Sequence, residues 1–311
     1  MISIGGGQTM PGNFFDNPEL YRSVLEDLPA GVLLLDRGRR IRFWNRVAER
    51  LVGHLAHEVI GEDGAGPLLD PCDRRGHTLS GVSSPMNATL NSGQAQQFVA
   101  YFRHKQGHRI AVRVRTRAIF EHNDLVIGVV VLFEEGFAFR ADSSCSPMYG
   151  CLDAVTGIPS HPLTRAVLHE CMAGMEQSRK GFGLLRVRVL GLDEFRAKHG
   201  IQSHLPFLRV AAHTLRHSLD PEIFLGRWGE DEFIVVLPSA NPVTAAVVSE
   251  TVWSLIAHSD VSWWGDHFPV PSVVTYAVAQ PGDKLEALLN KLEPTHAAAV
   301  GRAIGAVSAG R

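Results

Sequence analysis

The sequence predicts a chain of mixed α/β class in two domains, an α+β arrangement. A five-stranded antiparallel sheet with flanking helices comes first, and a central sheet surrounded by helices follows. Three observations predict this. Two short apolar runs around the turn Arg37-Gly38-Arg39, and three later β segments, bracket a Gly/Pro/Ser-rich stretch with short helical pieces. From Cys151 onward, apolar runs of strand length alternate with amphipathic runs of helix length. Between them, residues 136–150 carry Gly136 and then Asp142-Ser143-Ser144-Cys145-Ser146-Pro147 without a heptad pattern, which reads as a linker. A length of 311 residues leaves room for two domains of ordinary size.

Residues 1–16 are Gly-rich and aperiodic and read as a flexible leader. Leu20, Val24, Leu25 and Leu28 recur at helical spacing, and Pro29-Ala30-Gly31 ends that helix. Val32–Asp36 then reads as a buried strand, and Ile41–Trp44 as a second strand paired back on it. Asn45 is placed to cap a helix over 47–51, which Gly53 closes. The three later β segments run over 97–104, 109–120 and 125–133, separated by turns at Gln106-Gly107 and His122-Asn123-Asp124. In the second half, helices are expected over 163–175, 205–219, 243–256 and 285–292, and strands over 182–189 and 272–279.

Composition narrows the function classes. A net charge of −2 leaves no electrostatic footprint for nucleic acid or an anionic membrane, so neither is expected as a partner. No apolar run has the length of a membrane span and no signal segment opens the chain, which points to a cytoplasmic protein. Cys72, Cys145, Cys151 and Cys171 lack paired CxxC spacing and read as free thiols. The fifteen histidines are scattered. With no HExxH motif, and no HxxxH pair matched to a carboxylate on one helix face, a zinc site is not expected.

The chemistry concentrates in Gly226-Arg227-Trp228-Gly229-Glu230-Asp231-Glu232-Phe233. Apolar runs on both sides make this a hairpin, and its turn sets three consecutive carboxylates beside Arg227. Such a cluster either keeps a sheet edge soluble or offers oxygen ligands to Mg²⁺ and a nucleotide phosphate.

Two resemblances organise these residues. Gly31–Asp36, followed by Ile41-x-Phe43-Trp44-Asn45-x-x-Ala48 and Gly53, resembles a PAS sensor domain over residues 17–135. That resemblance implies a ligand pocket or a dimerisation platform. Phe43 and Trp44 are candidate pocket-lining residues and the ligand is open; in a strand, aromatics also serve as ordinary core. His54 and His57 are possible haem ligands but read rather as surface histidines. Residues 151–311 resemble the GGDEF domain, the diguanylate cyclase fold that condenses two GTP into cyclic di-GMP. The landmarks are Asp153-x-x-Thr156-Gly157-Ile158-Pro159, Asp193-x-Phe195-Arg196, the hairpin, and Val274–Ala279.

The resemblance implies Mg²⁺ held by Asp231 and a strand-end aspartate, and Asp193, at a position that is not a ligand in the family, is the candidate substitute for the second. It implies Glu232 and Asp231 as catalytic carboxylates, and Gly229, Glu230 and Arg227 as nucleotide contacts. The chain departs from the family pattern in several places. The second signature glycine is Glu230, and the strand-end aspartate falls at Leu190-Gly191. The base readers align with His199 and Leu205, and the late basic residues with Val300 and Ile304, with Arg302 nearby. Ser160-His161 replaces the usual Asn-Arg, and Asp220–Ile223 replaces the inhibitory product site. The sequence therefore predicts a PAS-coupled signalling protein of the cyclic di-GMP type. Its GGDEF domain is read as degenerate, serving as a sensor, a nucleotide-binding module or a docking module. The alternative is an active PAS-regulated cyclase. Homodimerisation through the PAS domain and a protein partner from a cyclic di-GMP network are further expectations.

Overall fold

The computed structural model describes residues 18–81, 84–121, 125–135 and 151–293. The leader, the linker, the turn at 122–124, and the late positions Val300, Arg302 and Ile304 lie outside the described residues.

The first domain begins with helix α1 (Pro18–Asp27) and the paired strands β1 (Gly31–Asp36) and β2 (Ile41–Trp44). Helices α2 (Arg46–Val52), α3 (Ala56–Val59) and α4 (Pro85–Ser92) precede β3 (Gln96–Arg103), β4 (Arg109–Phe120) and β5 (Val126–Glu135). The strands form one antiparallel sheet in the order β2-β1-β5-β4-β3. The crossover from β2 to β3 carries the short helices, which pack on the sheet.

Asn45 ties this start together. Its Oδ1 accepts from the Ala48 and Val32 amides, both at 2.9 Å, and its Nδ2 donates to the Ala30 and Leu25 carbonyls. One buried side chain thus caps α2 and fixes where β1 starts. At the other end of α2, Gly53 sits at φ 79°, the left-handed conformation that closes a helix most readily with glycine.

The second domain contains α5 (His161–Ser178), β6 (Phe182–Val189), α6 (Leu192–His199), α7 (Leu205–Ser218), β7 (Phe224–Arg227) and β8 (Glu232–Leu237). Helix α8 (Pro242–Ala257), strands β9 (Asp260–Trp263), β10 (Asp266–Pro269) and β11 (Ser272–Ala279), and α9 (Leu285–Lys291) complete it. The central sheet runs β11-β6-β8-β7, and β9-β10 forms a separate two-stranded ribbon. β6 and β8 are buried along nearly their whole length because helices cover both faces. The sequence reading lacked α6 and the β9-β10 ribbon. Both are short, and Leu192–His199 is mostly charged, so neither presents a clear apolar period.

The two domains touch through β4 and α7. Arg109, only 1% exposed, donates from Nε and Nη2 to the His258 carbonyl at 3.0 and 2.8 Å and pairs with Asp70. Its backbone N–H donates to Thr214 Oγ1 at 3.1 Å. One buried guanidinium therefore joins a first-domain loop to the end of α8 in the second.

Candidate functional site

The hairpin β7-β8 holds the acidic cluster. Two backbone N–H groups, from Trp228 and Gly229, donate to the Glu232 carbonyl at 2.9 and 3.3 Å and close the turn. Arg227 stabilises it from beneath. Its guanidinium lies 5.0 Å from the Phe233 ring centroid, and its Nη2 donates to the Glu230 carbonyl. Burial lowers the Arg227 pKa, and Nη1 is buried without a hydrogen-bond partner. A side chain expected to meet phosphate is therefore engaged in holding its own turn.

The three carboxylates are in different surroundings. The Glu230 side chain is 92% exposed, with Arg196 Nη1 at 3.7 Å. Its charge points into solvent, away from the interior of the turn. Asp231 has a side chain 41% exposed; burial, then the neighbouring Glu232 carboxylate, raises its pKa. Glu232 is only 5% exposed, yet it is the most heavily paired. It accepts from Arg186 Nε at 3.1 Å, from Arg186 Nη2 at 2.8 and 2.9 Å, and from Arg188 Nε at 2.6 Å. Arg186 continues to Glu293 Oε1 at 2.6 Å. Burial alone would lower the Arg186 pKa, but its bonds to Glu293 and Glu232 more than offset this and raise it.

These arginines were not among the residues singled out in the sequence. A signal was present, because Arg186 and Arg188 interrupt an otherwise apolar strand at alternate positions. In the β6-β8 register Arg188 stands opposite Glu232, so the pairing follows directly from strand alignment. A charge inside a buried strand needs an opposite charge, and Glu232 supplies it.

Asp193 lies in the first turn of α6 with its side chain 97% exposed, 3.4 Å from Arg196 Nη1. Arg196 thus draws Asp193 and Glu230 to one guanidinium, while Asp231 faces Arg188 Nε at 3.7 Å. Leu190 and Gly191, near which the strand-end aspartate was expected, contribute no carboxylate, and Gly191 adopts φ 73°. This donor set does not fit a pair of magnesium ions. Hard divalent cations need free carboxylate oxygens converging on one point, whereas Glu232 is saturated by two cationic side chains, Asp231 is partly open beside Arg188, and the exposed Glu230 and Asp193 lie on Arg196. Gly229 is not crowded, since a Cβ there would meet Glu232 only at ordinary contact distance.

In the first domain, Trp44 is buried against Phe133 at 5.9 Å between ring centroids, and its Nε1 donates to the His54 carbonyl at 3.0 Å. Phe133 also stacks edge-on to Phe102 and covers Gly31 so closely that a Cβ there would enter its ring. Trp44 therefore belongs to a filled core, and Phe43 is partly buried on the adjacent position of β2. His57 is exposed as expected. His54 is instead partly buried, and burial lowers its pKa.

Comparison with known proteins agrees with this architecture. Residues 19–135 match the model of the PAS fold, and residues 151–293 match that of the diguanylate cyclase, GGDEF domain. Among characterised proteins, the chain is 27% identical over 258 residues to the diguanylate cyclase DgcP of Pseudomonas aeruginosa. It is 21% identical over 260 residues to the probable diguanylate cyclase DgcE of Escherichia coli. The matches take in 75% and 81% of this chain but only 37% and 22% of those relatives. Among solved structures, the diguanylate cyclase SiaD of P. aeruginosa, in complex with its activator SiaC, is similar at 22% identity. That alignment covers 52% of this chain and 60% of SiaD, with a TM-score of 0.45. Among the described residues, no helix is long and apolar enough to cross a membrane.

Proposed function

We propose that this chain, a PAS domain joined to a GGDEF domain, is a signalling protein whose second domain has exchanged the cyclase reaction for binding or docking. The observation that carries the proposal is the Arg186–Glu232–Arg188 cluster. In the cyclase reaction, metal ions polarise the triphosphate and activate the attacking hydroxyl, and that requires carboxylates free to coordinate them. Here two guanidinium groups occupy Glu232, and Gly191 offers no second ligand. The domain is then suited to holding GTP or cyclic di-GMP without turnover, or to docking a protein of a cyclic di-GMP network. We place the protein in the cytoplasm and assign homodimerisation to the PAS half.

An active cyclase is the second reading, favoured by the partly exposed Asp231 at the hairpin tip. One assay separates the two. Purified protein is incubated with GTP and Mg²⁺ or Mn²⁺, and cyclic di-GMP is followed by chromatography, with Asp231→Ala as control. No product is expected. Product that forms with the native chain and disappears with Asp231→Ala would overturn the proposal. GTP calorimetry then distinguishes a nucleotide-binding module, which titrates, from a docking module, which does not.

A further inference from the structure

The two domains meet around a cavity of about 270 Å³ whose wall includes His104, His108, His213, His217 and Glu135. His213 and His217 are four residues apart on α7 and so share one face of that helix. His108 comes from the other domain, just before β4, and Glu135 ends β5. The His108 ring centroid lies 4.9 Å from that of His213 and 5.8 Å from that of His217. One ligand nitrogen from each of the three falls within 4.8 Å of the others, the one such convergence of three His, Cys, Asp or Glu groups among the described residues. The sequence reading gave this pair no weight, because it looked for a carboxylate on the same helix face. An HxxxH pair does exist on α7, and its carboxylate partner arrives from the other domain rather than from the same helix.

We propose that His108, His213 and His217, supported by Glu135, bind a divalent transition-metal ion of the zinc class at the junction of the two domains. Three features point to an ion rather than to ordinary packing. Glu135 Oε1 lies 2.7 Å from His217 Nδ1, the carboxylate–histidine arrangement that fixes a tautomer and leaves Nε2 free to coordinate. His108 and His213 both line the cavity, and no hydrogen bond occupies a ring nitrogen of either among the described residues. The rings also converge from two separate domains, which no local sequence constraint requires.

An all-imidazole set with one carboxylate behind it suits zinc, cobalt, nickel or copper, and is a poor match for magnesium or calcium. Tetrahedral coordination at zinc–nitrogen lengths puts ligand nitrogens about 3.3 Å apart, so modest rotation of the rings closes the site. Three protein ligands leave a fourth position for water, which the cavity has room to hold. A bound ion would fasten α7 to the start of β4 and so add a further tie between the two domains beside Arg109.

The test uses the untagged 311-residue chain, stripped with chelator and titrated with ZnCl2 by calorimetry, with CoCl2 absorption reporting the ligand geometry. One ion per chain is expected. His213→Gln combined with His217→Gln should abolish saturable binding, and Glu135→Gln should weaken it roughly tenfold. Circular dichroism of each variant is compared with the chelated native protein, which sets the metal-free reference for folding. No saturable binding by the folded native chain would overturn the proposal. So would binding that survives the double histidine variant, since it would belong to the cysteines or to the Asp231 hairpin. Neither result bears on the cyclase assay, so the two proposals fail separately.

Discussion

At the scale of single residues, Asp231 shows how burial and a like charge act together. Its folded-state pKa is raised, so between the ordinary carboxylate value and the folded value the native chain binds more protons than the unfolded one. Stability therefore falls as pH rises through that window, and the ionised side chain is a destabilising element at neutral pH. Asp231→Asn should raise the melting temperature at pH 7, and its advantage should vanish as pH falls below the ordinary carboxylate range. Thermal unfolding at a series of pH values checks this; an advantage independent of pH would contradict it. Glu232 is the counterpart, secured by two arginines. Its sequence neighbours identified the signature but not its partners. Those sit some 45 residues upstream on another strand, and only sheet register brings them opposite.

At the scale of elements, Asn45 carries more than the cap its sequence position suggested. Besides the α2 amide it satisfies the Val32 amide and the carbonyls of Ala30 and Leu25. Asn45→Ala leaves buried backbone groups without partners, and the expected loss is about 2 kcal/mol or more, read from urea denaturation. A loss within about 0.5 kcal/mol would mean that water takes over those bonds. Most elements were legible because their apolar periods are strong: β6, β11 and α8 lie within about two residues of where periodicity placed them. Elements with weak periods were not legible. Helix α6 sets five charged or titratable residues beside buried Leu192 and partly buried Phe195, too few apolar positions to show a period, and the β9-β10 ribbon consists of two four-residue strands.

At the scale of the whole molecule, the contact between the domains was invisible in the sequence, because neither domain's own pattern specifies what it leans against. It centres on the turn before β4. Gly107 has φ 90°, and a Cβ there would collide with the Asp260 carbonyl oxygen. Gly107→Ala should cost about 1–2 kcal/mol for the left-handed conformation alone and should also force the surfaces apart. Small-angle scattering should show a larger radius of gyration with the secondary structure unchanged, whereas an unaltered radius would show that the contact adjusts. Many of the bonds across this boundary end on main chain. Arg109 donates to the His258 carbonyl, and the Asp260 amide donates to the Gly107 carbonyl at 3.2 Å. Every residue type offers a carbonyl and nearly every type an amide, so these bonds constrain residue identity weakly, unlike the side-chain pairs Arg103–Asp260 and Glu135–His217 that cross the same boundary. Related chains could keep the main-chain part of this docking with little correlated change between their two halves, and a search for co-varying pairs would see only the side-chain part.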